Sequence, residues 1–166
     1  MVIAGIDASS NKTGIAIFKD GTYVTHTLVD LHKIKDADIR IPKMMQGICE
    51  YLDKHKIDKI IMEKSMLKTN IDTVQKLSNI AGAVMFYAIN KGIEFQHLYP
   101  SEWRKRIGLQ QSSKIKREVL KAEAILAVKQ EYDMDVTDDE AESILLARSG
   151  FDLSKIVITE DDIWEI

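Results

Sequence analysis

The sequence predicts a single α/β domain. Its core is a mixed five-stranded sheet, a three-stranded antiparallel meander plus two parallel strands, with helices on both faces. Three observations carry this. The first thirty residues hold three short apolar runs joined by connections too short for anything but antiparallel neighbours. Beyond them, stretches with helical spacing alternate with short β-branched runs, the pattern of strands that pair in parallel across a helix. At 166 residues with 45% hydrophobic content, the chain has material for one sizeable core and little for a second.

The elements follow in order. Val2 to Asp7 is the first strand and Thr13 to Phe18 the second. Lys19-Asp20-Gly21 signals a hairpin turn, and Thr22 to Leu28 is the third strand. From Ala37 to Lys56 the apolar residues Ile41, Met44, Met45, Ile48 and Leu52 recur at helical spacing, with Pro42 placed early, where a first turn tolerates it. Ile57 to Glu63 reads as a buried strand. Asn70 to Asn90 is a long helix closed by Gly92, and Ile93 to Leu98 is the last strand. Pro100-Ser101 opens a short helix around Trp103, a core anchor. Ser112 or Ser113 caps a basic helix over 114–131, and Thr137 or Asp138 caps a final helix to about Arg148. The domain thus covers 1–149, and 150–166 is an acidic C-terminal tail.

Composition narrows the function classes. The N-terminal apolar stretch has no basic region before it, which reads as a strand rather than a signal peptide, and no apolar run has the length of a membrane span. The single cysteine, Cys49, has no intrachain partner and sits in an apolar helical stretch. A cytoplasmic, reducing compartment follows, with no membrane partner. The net charge of −3 is unevenly spread. Residues 101–129 carry eight basic and three acidic side chains, whereas 130–166 carry twelve acidic and two basic ones. A basic segment beside an acidic cluster suits a polyanion-binding surface next to a metal site. A solvated helix followed by an acidic tail is the plainer alternative.

Four carboxylates stand in contexts that point them inward. Asp7 closes Val2-Ile3-Ala4-Gly5-Ile6, and Glu63 closes Ile60-Ile61-Met62. Asp139 and Glu142 are three apart at the start of a helix and share a face. If the first and fourth strands are parallel neighbours, Asp7 and Glu63 meet at the sheet edge where ligands bind in such folds. Acids at the ends of buried strands are costly and repel one another, and a divalent cation relieves both problems. Taken singly, Asp7 could cap a turn, Glu63 pair with a lysine, and the helix acids be ordinary first-turn residues. Together they read as a metal site. Two divalent ions about 4 Å apart, held by carboxylates, activate water and stabilise a leaving oxygen in phosphodiester hydrolysis. The four histidines, His26, His32, His55 and His97, show no ligand spacing, though one could assist proton transfer.

Gly5-Ile6-Asp7-Ala8-Ser9-Ser10 with Thr13-Gly14, the strand ending in Glu63, and Asp139-Glu140-Ala141-Glu142-Ser143 together resemble the RuvC-like Holliday junction resolvases of the RNase H-like superfamily. The resemblance spans residues 1 to about 149. In spacing it is closer to phage or Gram-positive bacterial versions than to the proteobacterial one. It implies an RNase H-like sheet and an endonuclease that cuts four-way junctions symmetrically with two Mg²⁺ ions, Mn²⁺ being an alternative. Asp7 matches the strand-one aspartate that bridges both metals, Glu63 the strand-four glutamate, and Asp139 and Glu142 the two acids of the last helix. The family usually has aspartate at this last position, so Glu142 is one methylene longer. Asp138 rivals Asp139 as the ligand.

The resemblance also implies the DNA contacts. Arg104, Lys105, Lys114, Lys116 and Arg117 fall where the family places lysines that meet the scissile phosphate, and Lys116 or Lys114 is the expected active-site lysine. Phosphate contacts of this kind give affinity without sequence information. Met66, three residues after Glu63, takes the place of an aromatic that wedges into the junction. A homodimer through the helix 70–90 is expected, aided by the small residues Ala81, Gly82 and Ala83. Three other readings compete. The strand–turn–strand at 5–14 also resembles the first phosphate loop of actin-like and sugar-kinase ATPases, but the chain lacks a second Gly-rich loop and the length for a second domain. The substrate could instead be flaps or forks, or the protein a branched-DNA-binding module with little catalysis.

Overall fold

A computed structural model of the chain describes residues 1–64, 70–109, 112 and 114–151. Five strands, β1 (Val2–Asp7), β2 (Lys12–Lys19), β3 (Thr22–Asp30), β4 (Lys59–Glu63) and β5 (Glu94–Leu98), form one sheet in the order β3-β2-β1-β4-β5. The β1–β2 and β2–β3 pairs are antiparallel, while β1–β4 and β4–β5 are parallel, the mixed sheet expected from the sequence. At the β2–β3 hairpin, Asp20 and Gly21 both have positive φ, 51° and 84°. That turn matches the twist of the strands it joins.

Among the described residues, five helices cover the sheet: α1 (Ala37–Leu52), α2 (Ile71–Lys91), α3 (Pro100–Arg106), α4 (Arg117–Tyr132) and α5 (Asp138–Arg148). Alternation along the strands sorts the apolar side chains into two cores. Ala4, Ile6, Ile15, Ile60 and Met62 pack with Met44, Ile48, Ile80 and Val84 of α1 and α2. Ile3, Phe18 and Ile61 turn the other way, onto Trp103, Val128, Ile144 and Leu145 of α3, α4 and α5. The odd positions of β1 therefore look toward α5, and Asp7 is the last of them. None of the helices among the described residues is long and apolar enough to cross a membrane.

Several boundaries depart from the sequence reading. Helix α1 starts at Ala37, capped by Asp36, so Pro42 lies in the second turn and not the first. There it forgoes one backbone hydrogen bond inside the helix. Helix α4 starts at Arg117 rather than 114, with Lys116 as its N-cap and no side-chain cap. Ser112 accepts from the Lys114 N–H at 3.2 Å, so its hydroxyl serves the preceding turn. Beyond α5, Gly150 stands against Ile61 and Ile3, and Phe151 packs on the same core as Phe18. Core packing thus reaches past residue 149, and the rest of the acidic tail, 152–166, lies outside the described residues.

Candidate active site

In the parallel register of β1 with β4, Ile6 lies opposite Met62. The next residues, Asp7 and Glu63, consequently leave the sheet side by side at its C-terminal edge. Helix α5 crosses the same face at very short range, because two strand positions there have no side chain. A Cβ on Gly5 would fall 2.4 Å from the Ala147 nitrogen and the Ser143 carbonyl, and one on Gly14 would fall 2.1 Å from the Asp139 carbonyl. These two glycines let the backbone of α5 rest on β1 and β2, which carries Asp139 and Glu142 toward Asp7.

The start of α5 is pinned. Thr137 and Glu140 form a reciprocal cap: Glu140 Oε2 accepts from the Thr137 N–H at 2.8 Å and hydroxyl at 2.7 Å, and the Glu140 N–H donates to Thr137 Oγ1 at 3.4 Å. His26 on β3 brings Nε2 within 3.5 Å of Glu140 Oε1, while its Nδ1 lies 2.6 Å from the Tyr23 hydroxyl. The segment between β1 and β2 is likewise fixed. Buried Thr13 donates to the Ser9 carbonyl at 2.9 Å, and buried Arg40 donates to the Ser10 carbonyl at 2.7 Å.

The four acids act on one another. Asp7 keeps some accessible surface but is densely surrounded by protein. Burial lifts its carboxyl well above the usual carboxylate range, and the charges of Glu142, Glu63 and Asp139 lift it further, against Lys121. Burial also raises Glu63, opposed by a hydrogen bond from Trp103 and by the charges of Arg104, Arg117 and Lys121. Burial and then the Asp138 charge raise Asp139. Glu142 is pushed up to about 7 by burial and by the Glu63 charge. Asp138 behaves differently: burial works against its charge, but its ion pair with Lys121 holds it below the usual range. Of the two adjacent aspartates, Asp139 is therefore the one whose charge reaches Asp7.

The arrangement offers a hard cation an all-oxygen donor set. Among the described residues, no three acidic, histidine or cysteine side chains already enclose a single point at ligand spacing. The acids form a convergent set of mutually repelling charges. Bound cations would relieve the repulsion that raises Asp7 and Glu142, so the residues present fit divalent ions. His26 touches the rim of this group through Glu140 but none of the four acids.

The basic residues fall into two classes. Lys105, Lys114, Lys116 and Arg117 are exposed, as a phosphate-binding segment requires. Arg104, expected among them, is instead buried at 1% exposure. Its guanidinium pairs with Glu123 at 2.7 Å, bonds the Leu120 carbonyl at 2.9 Å and stands 3.6 Å from Glu142. It is an interior counter-ion and not a surface contact. Lys116 stands exposed at the α4 cap, while the lysine whose charge reaches Asp7, Glu63, Asp139 and Glu142 is Lys121. The sequence reading missed Lys121, and also Trp103 as a hydrogen-bond donor to Glu63. The signal available for Lys121 was its place four residues after Arg117, on the same side of one helix. Met66 lies outside the described residues.

The RuvC family model, described as crossover junction endodeoxyribonuclease RuvC, matches residues 3–145. A curated relative of that description from Nitratiruptor is 26% identical over 152 residues, covering 89% of this chain and 96% of the relative. Another, from Chlorobium phaeovibrioides, is 26% identical over 112 residues, covering 64% of this chain and 59% of the relative. A third, from Geobacter, is 30% identical over 97 residues and is also covered over 59% of its length. The chain thus spans less than two thirds of several of the curated relatives it matches. Among solved structures, T. thermophilus RuvC in complex with a Holliday junction substrate superposes with a TM-score of 0.71 at 16% identity, covering 90% of this chain and 92% of that one. Fowlpox virus resolvase, solved with Holliday junction DNA, gives 0.63 at 17% identity, with 90% and 96% covered. At these identities the likeness to the solved structures is one of fold.

Proposed function

The chain belongs to the RuvC family of crossover junction endodeoxyribonucleases, and on that premise we propose that it is a divalent-metal-dependent endonuclease resolving four-way DNA junctions as a homodimer. One observation carries the reading: Asp7, Glu63, Asp139 and Glu142 come from two strands and a helix to one end of the sheet, where each is raised by burial, and Asp7 and Glu142 also by the charge of their neighbours in the set. Asp7 sits centrally, since it alone responds to the other three. These four would hold two Mg²⁺ or Mn²⁺ ions. When bound, such ions activate water and neutralise charge at the leaving 3′ oxygen.

The chain's own residues supply the rest. Trp103 and Arg104 hold Glu63 and Glu142 from the protein side. Lys121 and Arg117 provide positive charge at the mouth, where a scissile phosphate would enter. Lys105, Lys114 and Lys116, all exposed, take flanking phosphates without reading sequence. Symmetric cutting needs two such sites related by a two-fold axis. The outer stripe of α2, with Gly82, Met85, Phe86 and Ile89 exposed, supports a helix-to-helix dimer.

Synthetic four-way, fork and linear duplex DNA, incubated with the protein in Mg²⁺, Mn²⁺ or EDTA, test this directly. The expected outcome is paired, metal-dependent cuts in the four-way substrate. Preference for the fork would move the assignment to other branched DNA, and no metal-dependent cutting of any branched substrate would sink the enzyme reading. Asp7→Asn should abolish cutting while preserving junction binding in a gel-shift assay.

A further inference from the structure

Trp103 and Arg104 are consecutive residues of α3, yet each reaches a different acid of the site. The Trp103 indole N–H donates to Glu63 Oε2 at 2.8 Å, and the Arg104 guanidinium stands 3.6 Å from Glu142 Oε1. Both side chains are interior, at 0% and 1% exposure, and the guanidinium carbon lies 5.1 Å from the indole ring. Arg104 is fixed by its bonds to the Leu120 carbonyl and Glu123 on α4. Helix α3 is capped at its start by Tyr99 N–H donating to Glu102 at 2.7 Å and tied at its end by Arg106 donating to the Ser149 carbonyl at 3.5 Å. The indole is thus presented from a braced support.

Core filling alone does not account for Trp103. An indole has one donor and no acceptor, so its burial demands a partner, and the partner here is the acid that closes β4. A glutamate has three rotatable side-chain bonds, and the burial that raises the Glu63 carboxyl does not by itself choose which way its two oxygens point. One hydrogen bond from a neutral donor fixes the carboxylate without cancelling its charge, and it engages only one of the two oxygens. Groups that hydrogen-bond a metal-binding carboxylate in this way orient it and set its affinity.

We propose that Trp103 is a positioning residue of the metal site, holding Glu63 Oε2 so that the other carboxylate oxygen serves a divalent cation. This rests on the metal-dependent nuclease reading above. Trp103→Phe keeps an aromatic in the core and removes the N–H. It should raise the Mg²⁺ concentration for half-maximal junction cutting roughly tenfold, with the rate at saturating Mg²⁺ nearly retained. A lower saturated rate at an unchanged Mg²⁺ midpoint would mark a merely structural role and overturn the proposal.

A second measurement leaves Trp103 intact. The chain has two tryptophans, so in a Trp164→Phe protein the only remaining indole is the one bonded to Glu63. Mg²⁺ titration should then give a saturable change in indole emission, with the midpoint of cutting, and Glu63→Gln should remove it. No change in emission at Mg²⁺ concentrations that saturate cutting, or a change that persists in Glu63→Gln, overturns the proposal. Emission that responds to Mg²⁺ in a protein that cuts no branched DNA would leave the contact standing and sink the nuclease reading instead.

Discussion

Burial and the neighbouring Glu63 charge together raise the Glu142 carboxyl to about 7, so near neutrality the metal-free site holds this side chain partly protonated. A carboxyl with a raised folded-state pKa stabilises the fold in its protonated form. That contribution is complete below the ordinary value of 4.5 and is lost as pH rises through about 7. Asp7 is shifted in the same direction. In EDTA, the melting temperature should therefore fall between pH 5 and pH 8, with a loss of up to about 3 kcal/mol from Glu142. Glu142→Gln should flatten that slope, and Mg²⁺ should stabilise the protein more at pH 8 than at pH 5, because the ion competes with protons. An unaltered slope in Glu142→Gln would remove Glu142 from this account. Lys121 and Lys116 separate by a second measurement. Lys121→Met should slow cutting on the order of a hundredfold, whereas Lys116→Met should mainly weaken binding, an effect restored at low salt. Equal, salt-reversible losses from both would contradict the assignment to Lys121. At this scale the convergence of the acids was legible in the sequence, because two of them close apolar strands and the other two share one helix face, although each taken singly has an ordinary explanation. Arg104 was not. Arginine reads as a surface residue until its partners are known, and Glu123 and Glu142 are brought to it by two later helices.

Helix α5 illustrates how an element places chemistry that no single residue could. Its first turn is set by the Thr137–Glu140 cap and the contact from His26, and its height above the sheet by Gly5 and Gly14. Gly14 is the more demanding position, since an added Cβ would meet backbone at 2.1 Å and no rotamer change could relieve it. Gly14→Ala should lift the N-terminal turn of α5 and with it Asp139. Expected costs are roughly 1–3 kcal/mol of stability, measurable by denaturant unfolding, together with a loss of cutting in the fraction that remains folded. Full activity in a folded Gly14→Ala protein would show that close approach of α5 is not needed. The glycine–threonine–glycine pattern of 5–14 marked this region in the sequence, and Thr137 was among the expected caps. The start of α4 was harder to read. A serine at 112 or 113 pointed, as a cap, to a start at 114, while the backbone turns helical only at Arg117, after a Lys116 N-cap with no side-chain cap bond.

For the whole molecule, the antiparallel meander and the two parallel strands were legible from the short connections and the helical crossovers, whereas the adjacency of β1 and β4 stood only as a condition until the sheet order was seen. On the proposed function, one site at the end of β1 and β4 would hydrolyse one strand, and symmetric resolution would need a second copy. On α2 the buried residues Ile80, Val84 and Ala88 face the core. The opposite stripe of Gly82, Met85, Phe86 and Ile89 recurs at intervals of three and four and so occupies one line along the helix. Phe86 is 70% and Ile89 73% exposed, values unusual for neighbouring large apolar side chains on one helix face. Nothing lies within 4 Å of where a Gly82 Cβ would sit, which leaves room for another helix to come close. If two copies meet along this line, charge placed there will part them without touching either active site. Phe86→Asp with Ile89→Asp should sediment as a monomer where the parent chain sediments as a dimer. On a plasmid bearing an extruded cruciform, the parent should yield linear product from paired cuts. The variant should yield nicked circles, because each protomer keeps its acids and loses only the coordination between cuts. A double variant that still sediments as a dimer and still linearises the plasmid would move the two-fold axis away from α2.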